Sequence, residues 1–328
     1  MRGVKVRIYS HNDCGYLIGK KFCIVGYGSQ GVAQAMNLRD SGVEDITIVL
    51  YAGSKSVDAA IGDGFEVDTS GASVQSADVI VMLAPDELHR EICAKTLSAY
   101  FRPGQAIIFA HGLSVLYGLV ELPEFVDVCM VSPKSVGTEV RNQYLAGNGV
   151  VCFTAVMHNR SGNAQIVSDS YASAIALGEL IISTTFKEEV EANLFSEQVV
   201  LCGGVPSLIK CAFEVMVEAG ISPELAYLGC VYEVKLIADL MHRKGIHGCL
   251  SNVSSVAGYG ASIVGERIVD SRVKQSMRKA LDEVRSGEFF GKLSGEPDLQ
   301  QTLGAYFEKL KNHPIETVGT ELRNLMGV

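Results

Sequence analysis

The chain has 328 residues, of which 48% are hydrophobic and 20% charged, and its formal net charge is −9. This length allows two domains with sizeable cores, and the composition is typical of a soluble globular protein. The acidic balance argues against nucleic acid or an anionic membrane as a partner. No uninterrupted apolar run reaches the roughly 18–20 residues of a membrane helix. The N-terminal MRGVKVRIYS lacks the apolar segment of a signal peptide.

The cysteines indicate the redox environment. There are nine, an odd number, and they are scattered without CxxC pairs. In a chain of this size such a distribution is typical of reduced thiols and not of a disulfide framework. We therefore expect a cytoplasmic protein.

In the first half of the chain, short β-branched runs alternate with amphipathic stretches such as Gln30–Asp40 and Glu87–Tyr100. Strands that alternate with helices predict right-handed βαβ units and an α/β Rossmann-type, doubly wound parallel sheet. The candidate strands are Phe22–Gly26, Ile46–Leu50, Phe65–Val67, Asp78–Leu83, Ala106–Ala110, Val126–Val131 and Val150–Val156.

The second half has a helical pattern. Leu194–Gly220 and Pro223–Lys244 are long and lightly interrupted, and Pro223 suits the first turn of a helix that Ser222 caps. We place a domain boundary near 182/183, so that residues 1–182 form the α/β domain and residues 183–328 an all-α domain.

Residues 26–31 carry the strongest local motif. They read Gly-Tyr-Gly-Ser-Gln-Gly between a candidate strand and a candidate helix. In such a GxGxxG turn Gly26 allows the sharp bend, Gly28 lets the backbone approach a pyrophosphate, and Gly31 lets the helix pack against the strand. The N–H groups at the helix start then favour phosphates. We expect a dinucleotide to contact Gly26, Tyr27, Gly28, Ser29, Gln30 and Gly31.

The end of the second candidate strand indicates which dinucleotide binds. An NAD site usually has Asp or Glu there, which binds the ribose 2′-hydroxyl. Here Ser54, Lys55 and Ser56 supply two hydroxyls and an ammonium group, which suit a 2′-phosphate. The alternative is a solvated loop in which Ser54 only caps a helix. The missing acid and the lysine together favour NADP(H).

A series of further motifs runs in order along the chain. They are LRDSG at 38–42, GSKS at 53–56, PDE at 85–87, FAHG at 109–112, VSPK at 131–134 with Gly137, LFSEQ at 194–198, LCGGV at 201–205, ELAY at 224–227, KLIADLM at 235–241, and Ser254 with Tyr259 and Gly260. Together with GYGSQG at 26–31 they resemble the motifs of the short-form (class I) ketol-acid reductoisomerases, and the resemblance covers essentially the whole chain.

The resemblance implies an activity. The family converts 2-acetolactate-type ketol acids into 2,3-dihydroxy acids in branched-chain amino-acid biosynthesis, with two Mg²⁺ for an alkyl migration and NADPH as hydride donor. It also implies an active site between the Rossmann domain and a knotted helical domain, shared by two subunits. The expected partners are therefore a small ketol or 2-keto acid and a second copy of the chain, as a homodimer or an assembly of dimers.

The resemblance also assigns roles to individual residues. His111 and Lys134 are expected in catalysis, where Lys134 contacts the substrate oxygens and aids proton transfer. Ser254 is expected to bind the substrate carboxylate. Contacts to the cofactor are expected from Pro85, Asp86, Glu87 and Gly137. Thr138, Gly258 and Ala261 depart from polar positions of the family pattern.

The metal positions depart most. Family members have Asp, Glu, Glu and Glu where this chain has Asn193, Glu197, Gly229 and Glu233. A spacing of four residues places each pair on one helix face. Because the Asn193 side chain offers only a neutral oxygen, it cannot bridge two cations as a carboxylate does. We expect weakened Mg²⁺ binding, with Glu197 as the remaining ligand and Glu233 ordering water and substrate. Glu188, Glu189 and Glu191 are candidates for partial substitution, and Glu189 lies one turn before Asn193.

Three functions remain open at this point. The chain is a reductoisomerase with altered metal chemistry, an NADPH-dependent 2-keto acid reductase without isomerase activity, or a non-catalytic dinucleotide-binding protein. Hydride transfer needs mainly cofactor placement and a polarised carbonyl, whereas alkyl migration depends more strictly on the metal pair.

Overall fold

The computed structural model describes residues 6–327 and comprises two compact units that divide between Ala192 and Asn193. Residues 1–5, where the signal-peptide expectation begins, and residue 328 lie outside the described residues. The first unit is an α/β sheet domain and the second is helical, so the predicted fold class is confirmed. The predicted boundary at 182/183 falls within the strand Ile181–Ser183.

The sheet of the first unit has nine strands among the described residues. They are β1 (Arg7–Tyr9), β2 (Phe22–Val25), β3 (Ile46–Val49), β4 (Glu66–Asp68), β5 (Val79–Met82), β6 (Ala106–Phe109), β7 (Asp127–Pro133), β8 (Cys152–His158) and β9 (Ile181–Ser183). Their spatial order is β1-β9-β8-β7-β6-β5-β2-β3-β4. The chain builds β2 to β4 towards one edge and then returns to place β5 beside β2.

The strands from β2 to β7 are parallel, as expected, but the sheet as a whole is mixed. β8 runs antiparallel to β7, and β1 pairs antiparallel with β9. The predicted parallel pairing therefore does not extend to β8 and β1, and antiparallel strands are common additions to doubly wound sheets. β1 and β9, which pair with each other, were not predicted.

Both faces of the sheet are covered. Along β2 the side chains of Phe22 and Ile24 pack into one core cluster, and those of Cys23 and Val25 pack into another. All four are buried, because successive side chains of a strand point to opposite faces. Burial on both faces explains the continuous apolar run of β2. At the carboxyl end of β2 the chain leaves this buried layer and continues as a loop.

The helices of the first unit connect the strands. They are α1 (Ser29–Asp40), α2 (Val57–Gly62), α3 (His89–Glu91), α4 (Leu113–Leu116), α5 (Gly137–Leu145) and α6 (Ala164–Ala176). The predicted helix Glu87–Tyr100 is irregular: 3₁₀ turns at Asp86–Leu88 and Ser98–Tyr100 flank α3 and a π-helical segment, Ile92–Leu97.

α7 (Phe186–Ser196) begins in the first unit, and the remaining helices belong to the second. They are α8 (Gly204–Glu218), α9 (Pro223–Tyr227), α10 (Glu233–Leu250), α11 (Ser255–Ile268), α12 (Ser271–Ser286), α13 (Glu288–Ser294), α14 (Leu299–Lys311) and α15 (Pro314–Met326). π-helical segments at Glu197–Leu201 and Leu228–Tyr232 precede α8 and α10. α9 begins with Pro223 in its first turn and Ser222 at the N-cap, as predicted.

One helix among the described residues is apolar over a long stretch. α7, the π segment and α8 run together as a helix from Phe186 to Glu218 that is long and apolar enough to cross a membrane by length and composition. Its mean hydropathy reaches 1.7 over an 18-residue window, of which 6% is buried. Polar and charged residues, among them Ser207, Lys210 and Glu214, interrupt its apolar residues, so the helix contains no uninterrupted apolar run of membrane length. The core helix of a soluble protein meets the same criterion, so one such helix does not establish a membrane span.

All nine cysteines lie within the described residues and are free thiols, as expected.

Candidate active site

The predicted site residues of the first unit meet at one edge of the sheet. Five adjacent strands of the sheet run parallel to one another, in the order β7, β6, β5, β2 and β3. Their carboxyl ends therefore lie on the same side of the sheet. The residues that follow these five ends include Gly26, Ser54, Asp86, His111 and Lys134. The change of direction between β2 and β5 is the topological switch point at which open α/β sheets bind ligands.

The glycines of the turn after β2 are needed for different structural reasons. Gly26 has φ +102°, and a Cβ there would lie 2.7 Å from the Ala84 backbone nitrogen. A Cβ at Gly31 would lie 2.4 Å from the Gly26 carbonyl oxygen. Gly26 and Gly31 are therefore required by the protein's own packing.

Gly28 differs, because a Cβ there would meet no atom within 4 Å. Gly28 is exposed and is the N-cap of α1, and no side chain caps this helix start. The N–H groups at the start of α1 are thus left to an external acceptor, and the open space beside Gly28 is where a pyrophosphate would approach. These residues fit a dinucleotide.

The other residues of the turn contribute in different ways. The Tyr27 ring is buried at 4% exposure, packs on Phe65, and donates its hydroxyl to Asp63 at 2.8 Å, so only the Tyr27 backbone borders the turn. Gln30 donates its amide to the Ser135 carbonyl oxygen at 2.9 Å. A Cβ at Gly137 would lie 2.2 Å from the Ser29 carbonyl oxygen. Gly137 therefore lets α5 approach the start of α1.

The residues predicted to select the cofactor form a turn between β3 and α2. Gly53 has φ +84°, and the Ser54 hydroxyl accepts from the Ser56 backbone N–H at 3.3 Å. Ser54 and Ser56 are half-buried and Lys55 is exposed. Tyr51 is 69% exposed at the same strand end, a feature to which sequence reasoning gave no role.

Asp86 and His111 come together after β5 and β6. His111 Nδ1 lies 3.7 Å from Asp86 Oδ2, and the His111 side chain is 20% exposed. Pro85 and Glu87, the other predicted cofactor residues here, are exposed. Burial raises the pKa of Asp86, although His111 and His89 oppose this shift, and Glu87 and Glu189 reinforce it.

Lys134, after β7, pairs with a buried acid. Its ammonium group donates to the Glu189 carboxylate and lies 4.6 Å from the centre of the Phe153 ring. The Glu189 side chain is fully buried, and its Oε2 atom has no hydrogen-bond partner. Glu189 thereby holds Lys134 at the edge, and the second oxygen of the Glu189 carboxylate can still accept a hydrogen bond.

Sequence reasoning missed the roles of His89, Ser114 and Glu189. His89 is 2% exposed and contacts Ser114 Oγ and the Ala84 carbonyl oxygen. A buried histidine a few residues after a strand end carries no distinctive spacing, and Ser114 lies within a short helix. Glu189 was considered only as a substitute metal ligand, whereas one of its carboxylate oxygens accepts a hydrogen bond from Lys134.

The second unit contains the residues predicted to bind metal. Asn193 donates its side-chain amide to Glu197 Oε1 at 2.9 Å, which confirms that the two share a helix face. In this arrangement the amide donates to the carboxylate that was expected to bind a cation. Gly229 lies in the second π segment with no atom near its missing Cβ, and Glu233 is exposed at the start of α10.

Ser254, the predicted substrate-carboxylate ligand, is the N-cap of α11. Its hydroxyl accepts from the Ala257 backbone N–H at 3.2 Å, and the residue is exposed. A serine at this position satisfies a helix-start N–H without any ligand.

The residues of the second unit do not fit a pair of Mg²⁺ ions. Two adjacent dications need several oxygen ligands with anionic charge. Among residues 6–327 no three His, Cys, Asp or Glu side chains come together as a cation site. Asn193 and Gly229 lack the two carboxylates that the family pattern has at these positions.

Comparisons with known proteins agree with this geometry. Residues 16–179 match the family model for the acetohydroxy acid isomeroreductase NADPH-binding domain, and residues 186–328 match the ketol-acid reductoisomerase C-terminal domain. An NADH-preferring ketol-acid reductoisomerase from an uncultured archean is 39% identical, with a TM-score of 0.92 over 97% of this chain and 99% of that one.

More distant structures share the fold alone. A semialdehyde dehydrogenase NAD-binding protein from Cupriavidus necator is 16% identical, with a TM-score of 0.64 over 82% of this chain and 99% of that one. The 3-hydroxyisobutyrate dehydrogenase of Mycobacterium tuberculosis is 15% identical, with a TM-score of 0.51 over 93% and 99%. The two family models cover nearly the whole chain between them, and the chain belongs to the ketol-acid reductoisomerase family.

Proposed function

We propose that this chain is an NADP(H)-dependent reductase of 2-keto acids with an impaired isomerase step. The observation that carries the proposal is the hydrogen bond from the Asn193 amide to Glu197. Asn193 occupies the position at which the family pattern has a metal-bridging carboxylate. The sheet edge of the first unit, by contrast, retains an open dinucleotide turn and two cationic or titratable groups, Lys134 and His111.

The edge supplies what reduction of a carbonyl needs. NADPH held at the turn after β2 would supply the hydride for reduction of a carbonyl group. The Lys134 ammonium, fixed by Glu189, stabilises charge that develops on the carbonyl oxygen. His111 stands at the same edge as a proton donor. We infer that the substrate is the 3-hydroxy-2-keto acid that alkyl migration produces, because its reduction needs no isomerase step.

The preference for NADP(H) rests on Ser54, Lys55 and Ser56. Two hydroxyls and an ammonium group bind a 2′-phosphate, and no carboxylate occupies the strand end to favour a 2′-hydroxyl. Because the similar archaeal enzyme is NADH-preferring, both cofactors need to be titrated. The chain has no Trp, so NADPH and NADH fluorescence report binding directly.

In that titration we expect tighter binding of NADPH than of NADH. Lys55→Ala should remove most of the difference by weakening NADPH alone. Lys95→Ala, which alters an exposed lysine paired with Glu91, serves as the control. Tighter binding of NADH by the wild-type chain would contradict the preference.

We also propose that a second copy of the chain covers an apolar stripe on the second unit, in a cytoplasmic homodimer or assembly of dimers. Leu201, Leu208 and Val215 recur every seven residues and are 60%, 53% and 63% exposed. A protein partner fits better than lipid, since a helix that crosses a membrane would have to bring Lys210 and Glu214 into the hydrocarbon. Exposed apolar patches of this kind mark protein interfaces.

The function is tested by assaying NADPH oxidation with two substrates, 2-acetolactate and its migrated product 3-hydroxy-3-methyl-2-oxobutanoate, at several Mg²⁺ concentrations. We expect turnover of the migrated acid and little or none of 2-acetolactate. Equal turnover of both would establish a working reductoisomerase. Turnover of neither, with tight NADPH binding, would favour a non-catalytic dinucleotide-binding protein.

A further inference from the structure

A groove between the edge strand β1 and the helix α6 is not part of the candidate active site. It has a volume of about 460 Å³ and is lined by Arg7, Ile8, Tyr9, Gln165 and Asp169. β1 lies six positions from β2 in the sheet, which at about 4.8 Å per strand is roughly 29 Å. The groove is therefore separate from the dinucleotide turn, and its volume suits a small molecule.

Three side chains that line the groove form a hydrogen-bonded set. The Tyr9 hydroxyl donates to Asp169 Oδ1 at 2.7 Å, and the Gln165 amide donates to the same oxygen at 2.9 Å. Burial, which is the main cause, and the bond to Asp169 raise the pKa of Tyr9 to about 12. Tyr9 therefore keeps its proton at neutral pH and, with Gln165, fixes the orientation of the Asp169 carboxylate.

This set leaves two oxygen atoms without a donor. Asp169 is only 8% exposed, and its Oδ2 atom accepts no hydrogen bond from residues 6–327. Gln165 Oε1 likewise accepts none from this part of the chain, and no basic side chain there forms an ion pair with Asp169. A carboxylate that is shielded from water is stabilised by a cationic partner. The groove thus offers a place for an external cation that donates hydrogen bonds.

Arg7 supplies the opposite charge in the same groove. It is exposed, and its guanidinium group forms no ion pair or hydrogen bond with the residues that the structure describes. It lies close enough to Tyr9 to oppose the rise in the pKa of that hydroxyl. A guanidinium group binds a carboxylate through two parallel hydrogen bonds. One groove therefore combines acceptors for a cation with a donor for an anion.

We propose that this groove binds a small zwitterionic amino acid, with its ammonium group on Asp169 Oδ2 and Gln165 Oε1 and its carboxylate on Arg7. A metal cation fits less well, because the groove has a single carboxylate and a guanidinium group that repels a cation. A ligand that is only anionic meets the negative charge of Asp169. The site is apart from the proposed reductase reaction and does not depend on it.

Binding is tested by isothermal titration calorimetry of the full chain with each of the standard L-amino acids. We expect at least one of them to bind with a Kd of about 1 mM or below. Its methyl ester lacks the carboxylate charge and its N-acetyl derivative lacks the ammonium group, so each should bind at least about 10-fold more weakly. Failure of every amino acid to bind at about 10 mM would overturn the proposal, as would equal affinity of the amino acid and either derivative.

Two variants test whether the groove is the site. Asp169→Asn keeps the shape of the side chain but removes its charge, and Arg7→Gln removes the guanidinium group. Each should weaken binding of the amino acid at least about 10-fold. The control is Asp45→Asn, an exposed carboxylate paired with Lys21, which should leave the affinity unchanged. Since Arg7 is exposed, Arg7→Gln should fold even if Asp169→Asn does not, and unchanged affinity in either variant would overturn the proposal.

NADPH fluorescence titration separates the groove from the dinucleotide turn. NADPH should still bind when the amino acid is saturating, and Asp169→Asn should bind NADPH within about twofold of the wild-type affinity. Simple competition between the amino acid and NADPH would place the amino acid at the dinucleotide turn and contradict the proposal. None of these measurements requires turnover, so failure of the reductase assay leaves this site standing, and failure of amino-acid binding leaves the reductase standing.

Discussion

Two residues of the second unit depart from the family pattern at the expected metal site. The Asn193 amide donates to Glu197, so the pair is satisfied internally without a cation. Gly229 contributes no ligand, and the space around its missing Cβ is open. The family resemblance located these positions, but only the hydrogen bond shows that the glutamate is already engaged.

Restoring carboxylates should restore metal affinity. In Asn193→Asp with Gly229→Glu we expect Mg²⁺ to bind measurably more tightly, since both changes add anionic oxygens. Isothermal titration calorimetry measures the change. The matched control is Asn324→Asp with Gly304→Glu, which adds the same charges at exposed positions on α15 and α14. Equal tightening in both variants would mean that net charge alone accounts for the effect.

The Asp86 carboxyl predicts a pH dependence of stability. Since its pKa is raised in the folded chain, mainly by burial, the folded state holds this proton more tightly than the unfolded state. Its contribution to the free energy of unfolding is therefore fully present below the ordinary carboxyl pKa and is lost as the pH rises through the raised value.

Thermal unfolding of Asp86→Asn tests this sign. The Tm difference, variant minus wild type, should increase between about pH 4 and pH 8, because only the wild type loses the protonated carboxyl over that range. Asp45→Asn should show no such trend. A Tm difference that falls with rising pH would mean that ionised Asp86 stabilises the fold.

At the scale of elements, the turn from β2 into α1 contains one glycine that is needed for folding, Gly31, and one that we expect to be needed for cofactor binding, Gly28. Gly31→Ala should lower the free energy of unfolding by roughly 2 kcal/mol or more, because its Cβ would collide with the Gly26 carbonyl oxygen. Gly28→Ala should change stability by no more than about 0.5 kcal/mol, yet it should weaken NADPH binding strongly. Urea unfolding and fluorescence titration measure the two effects. Normal NADPH affinity in Gly28→Ala would place the pyrophosphate elsewhere.

The elements also show how far sequence reasoning reaches. The strands from β2 to β8 were located within a few residues, because buried β-branched runs between turn residues are distinctive. β1 and β9, which pair with each other at one side of the sheet, were not predicted. Within the site, positions at strand ends such as His111 and Lys134 were identified, whereas the Lys134–Glu189 and Asp86–His89 pairs depend on side-chain contacts that no motif spacing encodes.

At the scale of the whole molecule, the apolar stripe of Leu201, Leu208 and Val215 predicts self-association. Leu208→Glu with Val215→Glu should shift the mass measured by light scattering towards that of the monomer. Leu145→Glu alters a residue that is 64% exposed in the first unit and should leave the mass unchanged. A wild-type chain that is monomeric at micromolar concentration, or that requires detergent, would contradict a second copy as the occupant.

The central claim is that the retained chemistry belongs to the sheet edge and not to a metal pair. The measurement that tests it most directly is NADPH oxidation with 3-hydroxy-3-methyl-2-oxobutanoate in the presence of excess EDTA. If Lys134 and His111 supply the charge and the proton, turnover should persist at a rate close to that in Mg²⁺. Loss of turnover on chelation, with recovery on adding Mg²⁺, would contradict the claim.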